Sequence, residues 1–296
     1  MLDRRVGCIR DISCGEGGRV KSKYLDLLKQ YKVTPNFFCS EEYFNKAKIE
    51  EQTTEDYIYW KQDGWIISPP INALNGELLG VPKDWAPKIW IDFQYWRPPV
   101  GYEPTFLDWE YIYNPKDFLD LSGGNWRVFR KNIRKFPGRY GKAPLSYVNI
   151  FEVARKRGER FVKDSLKNLL LEWLSDQGKD EEIHDDDVIV EYLFNGENRK
   201  VLIDKDYMIL GVNIWDQNHQ FINFRYSFSQ SHKFLNEYIR YVFYTDPTII
   251  HQNKLVNDGG TLDNNNIESF KDKLCPQTKR PVFSYHKTGE GPNEKE

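Results

Sequence analysis

The order in which apolar periodicities follow one another after residue 160 constrains the fold of this chain more than any other feature. Residues 161–175 carry apolar side chains at steps of three and four, which predicts an amphipathic helix. Four strand-like segments follow in direct succession, at 188–194, 200–203, 207–215 and 221–228. The remaining predicted elements are a helix over 231–244, a strand-like pair at 249–250, a turn at 257–260, a helix over 267–274 and a strand at 282–285. This order predicts an α+β fold in which one crossover helix follows the fourth strand.

The first half of the chain has shorter elements. Strand-like segments 57–60 and 64–68 are joined by Lys61-Gln62-Asp63-Gly64, and Asp-Gly indicates a hairpin turn. Proline-rich stretches at 81–87 and 97–104 are expected to interrupt the sheet, with one more candidate strand, 88–95, between them. Helices are predicted over 116–121 and 126–136, and Pro137-Gly138 is expected to end the second one.

Composition excludes several classes of protein. The chain of 296 residues is 40% hydrophobic and has nine Trp, eighteen Tyr and eighteen Phe, which excludes a chain that is disordered as a whole. Forty-two basic and forty-four acidic side chains give a net charge of −2, which excludes a globally basic nucleic-acid binder but allows a local basic patch. The sequence shows no apolar run of ~20 residues and no signal-peptide core at its start. Four cysteines without a C-x-x-C pair predict a reducing, cytoplasmic location.

Three segments of the second half resemble the GNAT acyltransferase superfamily. The first is the basic stretch 124–136, the second is 221–226 (Phe-Ile-Asn-Phe-Arg-Tyr) with the helix after it, and the third is 256–263 leading into 270–274. Taken together they are similar to the aminoacyl-transferring branch, which holds the Fem-type peptidyltransferases and the C-terminal domain of phosphatidylglycerol lysyltransferase. The resemblance covers roughly residues 105–285, and the hairpin at 57–68 extends it to about 24–285.

The resemblance implies a mixed sheet flanked by helices and organised as two tandem GNAT-like lobes. The expected divisions are an N-terminal extension (1–23), a partial first lobe (24–120), a second lobe with the better-formed site (121–287) and a flexible tail (288–296). In GNAT-type folds two neighbouring parallel strands splay apart, and their unpaired backbone groups hold the acyl donor.

The loop after the fourth strand departs from the family pattern. CoA-using members have an R/Q-x-x-G-x-G/A loop there, whereas this chain has no glycine between Arg225 and Tyr241. The resemblance therefore implies that side chains bind the donor, and the candidates are Arg225, Ser227, Ser229, Ser231, His232 and Lys233. The alternative is that Ser229 or Ser231 only caps the following helix. The missing glycines favour an aminoacyl donor, such as aminoacyl-tRNA, over acetyl-CoA.

Three residues are candidates for catalysis. Lys271 matches a lysine that contacts the reacting carbonyl in the Fem-type branch, and the alternative is an exposed helix lysine. Asp258 is either a general base or a turn residue in Asn257-Asp258-Gly259-Gly260. Tyr226, like Tyr238 and Tyr241, is a candidate proton donor to the leaving group.

The predicted helix 126–136 is strongly basic on one side. Its cations are Arg127, Arg130, Lys131, Arg134 and Lys135, and the apolar side chains Trp126, Phe129, Ile133 and Phe136 lie opposite them. Such a face fits a polyanion, namely tRNA, DNA or a phospholipid headgroup. The alternative is a solvated face balanced by the acidic stretch 176–187.

The sequence favours transfer of an acyl or aminoacyl group onto an amine of a modified nucleobase, a peptide or a lipid headgroup. The alternatives are a non-catalytic nucleic-acid-binding module that uses residues 126–142, and an acetyl-CoA-dependent GNAT enzyme with an atypical loop. An enzyme should have a cleft between splayed strands near Phe224–Ser229 and Lys271, and a binding module a flat basic face. No metal is expected, because the five histidines are scattered, and oligomeric state is left open.

Overall fold

The computed structural model describes residues 20–62, 65–78, 88–92, 101–139, 144–176, 187–261 and 264–287. The elements of the first half are α1 (Lys23–Gln30), α2 (Glu41–Lys46), β1 (Glu50–Thr53), β2 (Tyr57–Gln62), β3 (Trp65–Ile66), β4 (Ile71–Asn72), β5 (Lys88–Asp92) and β6 (Tyr102–Tyr113). Next come α3 (Asp117–Asp120), α4 (Arg127–Arg139), β7 (Ser146–Asn149), α5 (Ile150–Arg157), α6 (Glu159–Asp176) and α7 (Val188–Asn195). The last are β8 (Asn198–Ile203), β9 (Ile209–Gln217), β10 (Phe221–Ser229), α8 (Leu235–Tyr244), α9 (Pro247–Ile250), β11 (Leu255–Asn257), α10 (Asn265–Lys273) and β12 (Thr278–Lys287).

The described strands form one continuous mixed sheet. Their order is β1-β2-β3-β5-β12-β6-β11-β10-β9-β8-β7, and β4 pairs with β2 beside this path. Two neighbouring pairs, β3–β5 and β10–β11, are parallel, and the others are antiparallel. Each half of the sheet therefore contains an antiparallel meander followed by a parallel neighbour. This arrangement confirms the predicted mixed sheet flanked by helices, whereas the division into lobes at residue 120 stays a prediction.

The second half of the sheet is covered on both faces. Helices α5, α6 and α7 pack on one face, which we call the α6 face, through Val162, Leu166 and Leu170. Helices α3, α4 and α8 pack on the opposite face, the α8 face, through Phe129, Phe243 and Tyr244. Each fully buried side chain of this size contributes about 1.5–3 kcal/mol of hydrophobic free energy, so both layers hold the sheet in place. A third core, built around Trp60, joins α1 and α2 to the first strands.

Two segments predicted as strands are helices. Residues 188–194 lie within α7, which contacts α2 and α6 and buries Val190, Tyr192, Leu193 and Phe194. A short apolar run does not by itself distinguish a buried strand from a buried helix. Residues 249–250 end α9, where Asp246 caps the helix and Pro247 occupies its first turn.

The predicted interruption at 97–104 is wrong at its end, because Pro104 lies within β6. Proline removes one ladder donor, and β6 pairs with β11 only at Ile112 and Tyr113, so the edge beside Pro104 needs no donor toward β11. The predicted end of the basic helix is also wrong, since α4 continues through Pro137 to Arg139. Pro137 removes one backbone hydrogen bond and crowds the carbonyl four residues earlier, and α4 ends two residues after it.

Candidate functional site

The parallel strands β10 and β11 part after three residue pairs, and we call the region between their diverging ends the cleft. β10 pairs with β11 only over Phe221–Asn223, opposite Leu255–Asn257. Beyond Asn223, β10 continues to Ser229 with β9 as its one neighbour among the described strands. The chain after β11 turns toward β6 instead, because Asp258 N donates to Tyr111 O and Tyr111 N donates to Gly259 O. The two diverging arms, 224–229 and 258–261, form the predicted opening of the sheet.

A β-bulge at Arg225 shapes the first arm of this cleft. The register of β10 against β9 shifts between Phe224 and Tyr226, so Arg225 and Tyr226 both point to the α6 face. Phe224 and Ser227 lie on the α8 face, in contact with Phe243 and Asn213 respectively. The bulge therefore separates Arg225 from the serines with which the sequence grouped it.

On the α8 face, an ion pair joins the two arms. Arg240 Nη1 donates to Asp258 Oδ2 at 2.6 Å, and its guanidinium carbon lies 3.8 Å from the Phe224 ring centroid. Tyr244 also donates to Asp258 Oδ2, at 3.3 Å, and burial followed by the Asp258 charge raises the pKa of Tyr244. Asp258 is buried, and its carboxylate accepts hydrogen bonds from the Arg240 guanidinium and the Tyr244 phenol.

Lys271 lies beneath the second arm, fully enclosed. Its ammonium donates to the carbonyl oxygens of Asp258 (2.6 Å), Gly259 (3.1 Å) and Gly260 (2.6 Å). Burial lowers the pKa of Lys271, and the neighbouring Asp258 carboxylate, 3.5 Å away, opposes this effect. The exposed helix lysine considered above is therefore wrong, and all three N–H groups are used inside the protein.

On the α6 face, Arg225 is locked in a polar cluster. Its Nε donates to Asp216 Oδ2 at 2.7 Å and its Nη2 to Asp216 Oδ1 at 3.1 Å. Although burial disfavours the charged guanidinium, Asp216 raises the pKa of Arg225 above its ordinary value. Tyr192, Ser40 and Asn223 donate to the same carboxylate, so together with Arg225 four groups hold Asp216. Burial raises the pKa of nearby Tyr226 to about 12, which keeps its phenol protonated at neutral pH.

Two serines at the end of β10 bond to the neighbouring elements β9 and α8. Ser227 Oγ donates to Asn213 Oδ1 at 2.9 Å, and Ser229 Oγ donates to Asn236 Oδ1 at 2.6 Å. Neither Ser229 nor Ser231 caps α8, whose N-cap is Phe234 with a φ of 73°, so that alternative is wrong. Ser231, His232 and Lys233 are exposed at the mouth of the loop, and the Lys233 ammonium lies 5.4 Å from the Phe234 ring centroid.

The basic face of α4 is exposed as the sequence predicted. Trp126, Phe129, Ile133 and Phe136 are buried, whereas the opposite side carries the exposed cations Arg127, Lys131, Arg134 and Lys135. Arg130 instead folds back and donates to Leu121 O and Gly123 O. Lys135 lies 5.3 Å from the Phe234 ring centroid, so this face adjoins the loop after β10.

Sequence inspection missed several polar residues at the cleft. Asp216 lies just beyond the predicted strand 207–215, and no role was predicted for Asn223 or Arg240. The pairing of β9 with β10 puts Asn223 opposite Asp216, and the packing of α8 brings Arg240 to Asp258. Among the described residues, no group of three or more His, Cys, Asp or Glu side chains is arranged to hold a metal ion. Within the same ranges, no helix has the length and apolarity to cross a membrane.

Solved structures share this fold. A conserved protein of unknown function from Bacteroides thetaiotaomicron aligns with a TM-score of 0.67 at 14% identity, covering 90% of this chain and 98% of the other. L-PGS from Bacillus licheniformis aligns with a TM-score of 0.59 at 14% identity, covering 91% of this chain and 92% of the other. The C-terminal domain of a putative lysylphosphatidylglycerol synthetase from Agrobacterium fabrum aligns with a TM-score of 0.57 at 11% identity, covering 90% of this chain and 91% of the other. No family model and no curated protein matches the chain.

These likenesses define the class of fold. The chain has the mixed α+β architecture of the lysylphosphatidylglycerol synthetase C-terminal domain, which confirms at the level of the fold the resemblance stated from the sequence. At 11–14% identity the likeness extends to the fold and not to activity.

Proposed function

We propose that this protein transfers an acyl or aminoacyl group onto an amine. The observation that carries the proposal is the parting of β10 from β11 after Asn223, with one buried ion pair on each face of the sheet beside it: Arg225–Asp216 on the α6 face and Arg240–Asp258 on the α8 face. In the reaction the amine nitrogen attacks the acyl carbonyl carbon and expels the leaving oxygen or sulfur. Such transfer needs positioning and donors toward the developing oxyanion more than it needs a covalent catalyst.

An aminoacyl donor is the better supported of the two donor classes. The loop 229–234 has no glycine, so a backbone nest for a CoA pyrophosphate is absent from it. One protein with this fold, from Agrobacterium fabrum, is named as a putative synthetase of lysylphosphatidylglycerol, an aminoacylated lipid, which supports aminoacyl-tRNA over acetyl-CoA. The amine acceptor belongs to a modified nucleobase, a peptide or a lipid headgroup, and a cytoplasmic location fits these partners.

The candidate catalytic residues take different parts in this proposal. Tyr226 is protonated at neutral pH and half-exposed beside Arg225, so it is placed to donate a proton to the leaving group. Asp258 serves as general base only if Arg240 moves away from it. Lys271 shapes the second arm through its three carbonyl contacts, and Ser231, His232 and Lys233 form the exposed donor-binding loop.

The test is consumption of a donor. The protein is incubated with aminoacyl-tRNA or acetyl-CoA and a panel of amines, and products are identified by mass spectrometry. Ser227→Phe narrows the cleft and should reduce turnover at least tenfold, whereas Ser175→Phe, at an exposed site on α6, should not change it. If neither donor is consumed with any amine, the proposal is overturned.

A non-catalytic nucleic-acid-binding module is the second candidate. The observation in its favour is the exposed face of α4, where four cations have no ion-pair partner within the described part of the chain. A tRNA or DNA backbone fits such a face.

A further inference from the structure

Two buried polar atoms at the apex of the cleft have no hydrogen-bond partner among the described residues. They are Nη1 of Arg225 and Oδ1 of Asn223. The Arg225 side chain is 2% exposed and Asn223 is fully buried. An unsatisfied buried donor or acceptor costs about 1–3 kcal/mol, so each atom in a native protein calls for an explanation.

Both atoms belong to one rigid cluster on the α6 face. Asn223 Nδ2 donates to Asp216 Oδ1 at 2.9 Å, and Arg225 Nη2 donates to the same oxygen at 3.1 Å. Because Nε and Nη2 are both committed to Asp216, Nη1 lies on the edge of the guanidinium turned away from that carboxylate. The pair sits where β10 leaves β11, since Asn223 is the last residue of β10 paired across this boundary.

Together with Tyr43, whose ring centroid lies 4.8 Å from the Arg225 guanidinium carbon, Phe37 covers this cluster. Its ring centroid lies 4.4 Å from the Arg225 guanidinium carbon, and its ring atoms lie 3.0–3.2 Å from where a Cβ on Gly259 would be. Phe37 thus spans from the first arm to the second, yet its side chain is only half-buried. It belongs to the irregular segment between α1 and α2, so its ring can move without breaking a strand or helix.

The free donor in the cleft is therefore Arg225 and not Lys271. Every ammonium hydrogen of Lys271 is used by loop carbonyls, whereas Arg225 keeps one nitrogen uncommitted. A cation held rigidly with an unused N–H group is the arrangement that stabilises a developing oxyanion without reorganisation.

We propose that Arg225 and Asn223 form the acyl-group subsite beneath Phe37. Arg225 Nη1 donates to the carbonyl oxygen of an aminoacyl donor, and Asn223 Oδ1 accepts a hydrogen bond from its α-amino group. The acceptor amine attacks the ester carbonyl carbon and forms the new C–N bond, and Arg225 holds the resulting tetrahedral oxyanion. The ester C–O bond then breaks as the amine proton passes to the leaving alkoxide oxygen, which departs as the hydroxyl. This inference rests on the proposed function.

Binding of small probes tests the subsite without a known donor. Alaninamide carries both a carbonyl and an α-amine, whereas propionamide lacks the amine and ethylamine lacks the carbonyl. Calorimetry should show that Phe37→Ala binds alaninamide at least tenfold more tightly than the wild-type chain does. The same variant should bind propionamide and ethylamine more weakly than it binds alaninamide. Phe161→Ala is the matched control, since Phe161 also covers an arginine at 4.4 Å, that of Arg157, at a remote site.

Two substitutions then separate the roles. The double variant Phe37→Ala/Asn223→Leu should bind alaninamide at least tenfold more weakly than Phe37→Ala alone. The two variants should bind propionamide equally. With a donor identified, Arg225→Lys should lower kcat about 100-fold, as expected for removal of an oxyanion donor. Circular dichroism checks that each variant folds.

The outcomes distinguish this inference from the proposed function. Equal alaninamide affinity in the wild-type chain, Phe37→Ala and Phe37→Ala/Asn223→Leu overturns the subsite, as does wild-type turnover by Arg225→Lys. The expected binding pattern without consumption of any donor supports the subsite and overturns only the transfer reaction.

Discussion

Buried charges at the cleft are neutralised in pairs that tie distant parts of the chain together. Arg225 pairs with Asp216, Arg240 with Asp258, and Arg280 with Glu110. Glu110 also accepts from Phe37 N at 2.8 Å and from Asn257 Nδ2 at 3.1 Å, so one carboxylate links the Phe37 segment to β11. Removing one member of such a pair leaves a buried charge uncompensated, and this cost exceeds the net value of the pair itself.

Lys271 is predicted to be essential for stability. Lys271→Met removes three hydrogen bonds to loop carbonyls and the charge facing Asp258, so the free energy of unfolding should fall by about 3–5 kcal/mol. Lys273→Met, at an exposed position of the same helix, should change it by less than about 0.5 kcal/mol. Urea denaturation measures both, and equal losses would show that the buried ammonium contributes nothing particular.

Glu42 is predicted to make the protein less stable as pH rises. Burial, reinforced by the nearby Asp216 carboxylate, raises the pKa of Glu42 to about 7. Between about pH 4.5 and 7 the unfolded chain therefore holds fewer protons than the folded one at this site, and stability falls with increasing pH. Glu42→Gln should remove this loss. The free energy of unfolding of the variant, relative to the wild-type chain, should therefore be about 1 kcal/mol more favourable at pH 8 than at pH 5, after allowance for solvent screening at a half-buried position.

Denaturation at the two pH values checks this expectation. Glu159→Gln, on an exposed helix position, is the matched control for the loss of one carboxylate. A difference between Glu42→Gln and the wild-type chain that is the same at pH 5 and pH 8 would contradict the prediction.

At the scale of elements, helices with a clear apolar stripe were predictable and buried short segments were not. The apolar stripes of α6 and α4 are visible in the sequence because each helix has one polar face exposed to solvent. α7 has buried side chains at Val190, Tyr192, Leu193 and Phe194, so its pattern carries no periodicity that identifies a helix.

The candidate site was predictable only in part, for the same kind of reason. The opening between β10 and β11 follows from the order of elements, whereas Asp216 meets Arg225 through strand register and a bulge. Phe37 reaches the cleft across more than 180 residues of sequence, and no local pattern encodes such a contact.

The exposed face of α4 is predicted to determine the binding of single-stranded nucleic acid. Four neutralising substitutions to Gln are made together, at Arg127, Lys131, Arg134 and Lys135. Because each phosphate contact contributes about 0.7 to the slope of log K against log salt, the slope should fall by about 3. Fluorescence anisotropy with a labelled RNA measures it.

A matched variant carries the same charge change on another surface. It replaces the exposed cations Arg155, Lys156, Arg157 and Arg160 of α5 and α6 with Gln. An equal decrease in slope for both variants would show that only net charge matters, and would exclude α4 as the specific face.

At the scale of the whole molecule, one strand joins the two halves of the sheet. β12 pairs with β5 on one side and with β6 on the other, and β6 in turn pairs with β11 beside the cleft. The C-terminal strand thus completes a sheet whose outer members come from both halves of the chain. We therefore expect the halves to unfold together, although separate lobes would by themselves unfold independently.

A substitution in β12 should weaken both halves equally. Val282 is 3% exposed and lies opposite Asp92 of β5 and Asp108 of β6. Val282→Ala should therefore lower the free energy of opening, measured by hydrogen exchange, by about 2 kcal/mol in the strands on both sides of β12. Hydrogen exchange with mass spectrometry in increasing urea compares peptides from β2 and β9, which should open at the same denaturant concentration. Val148→Ala on β7, the strand at the end of the sheet, is the control and should affect β9 more than β2. Protection lost from β2 alone in Val282→Ala would mean that the halves are separate cooperative units, because the shared strand would then not transmit stability across the sheet.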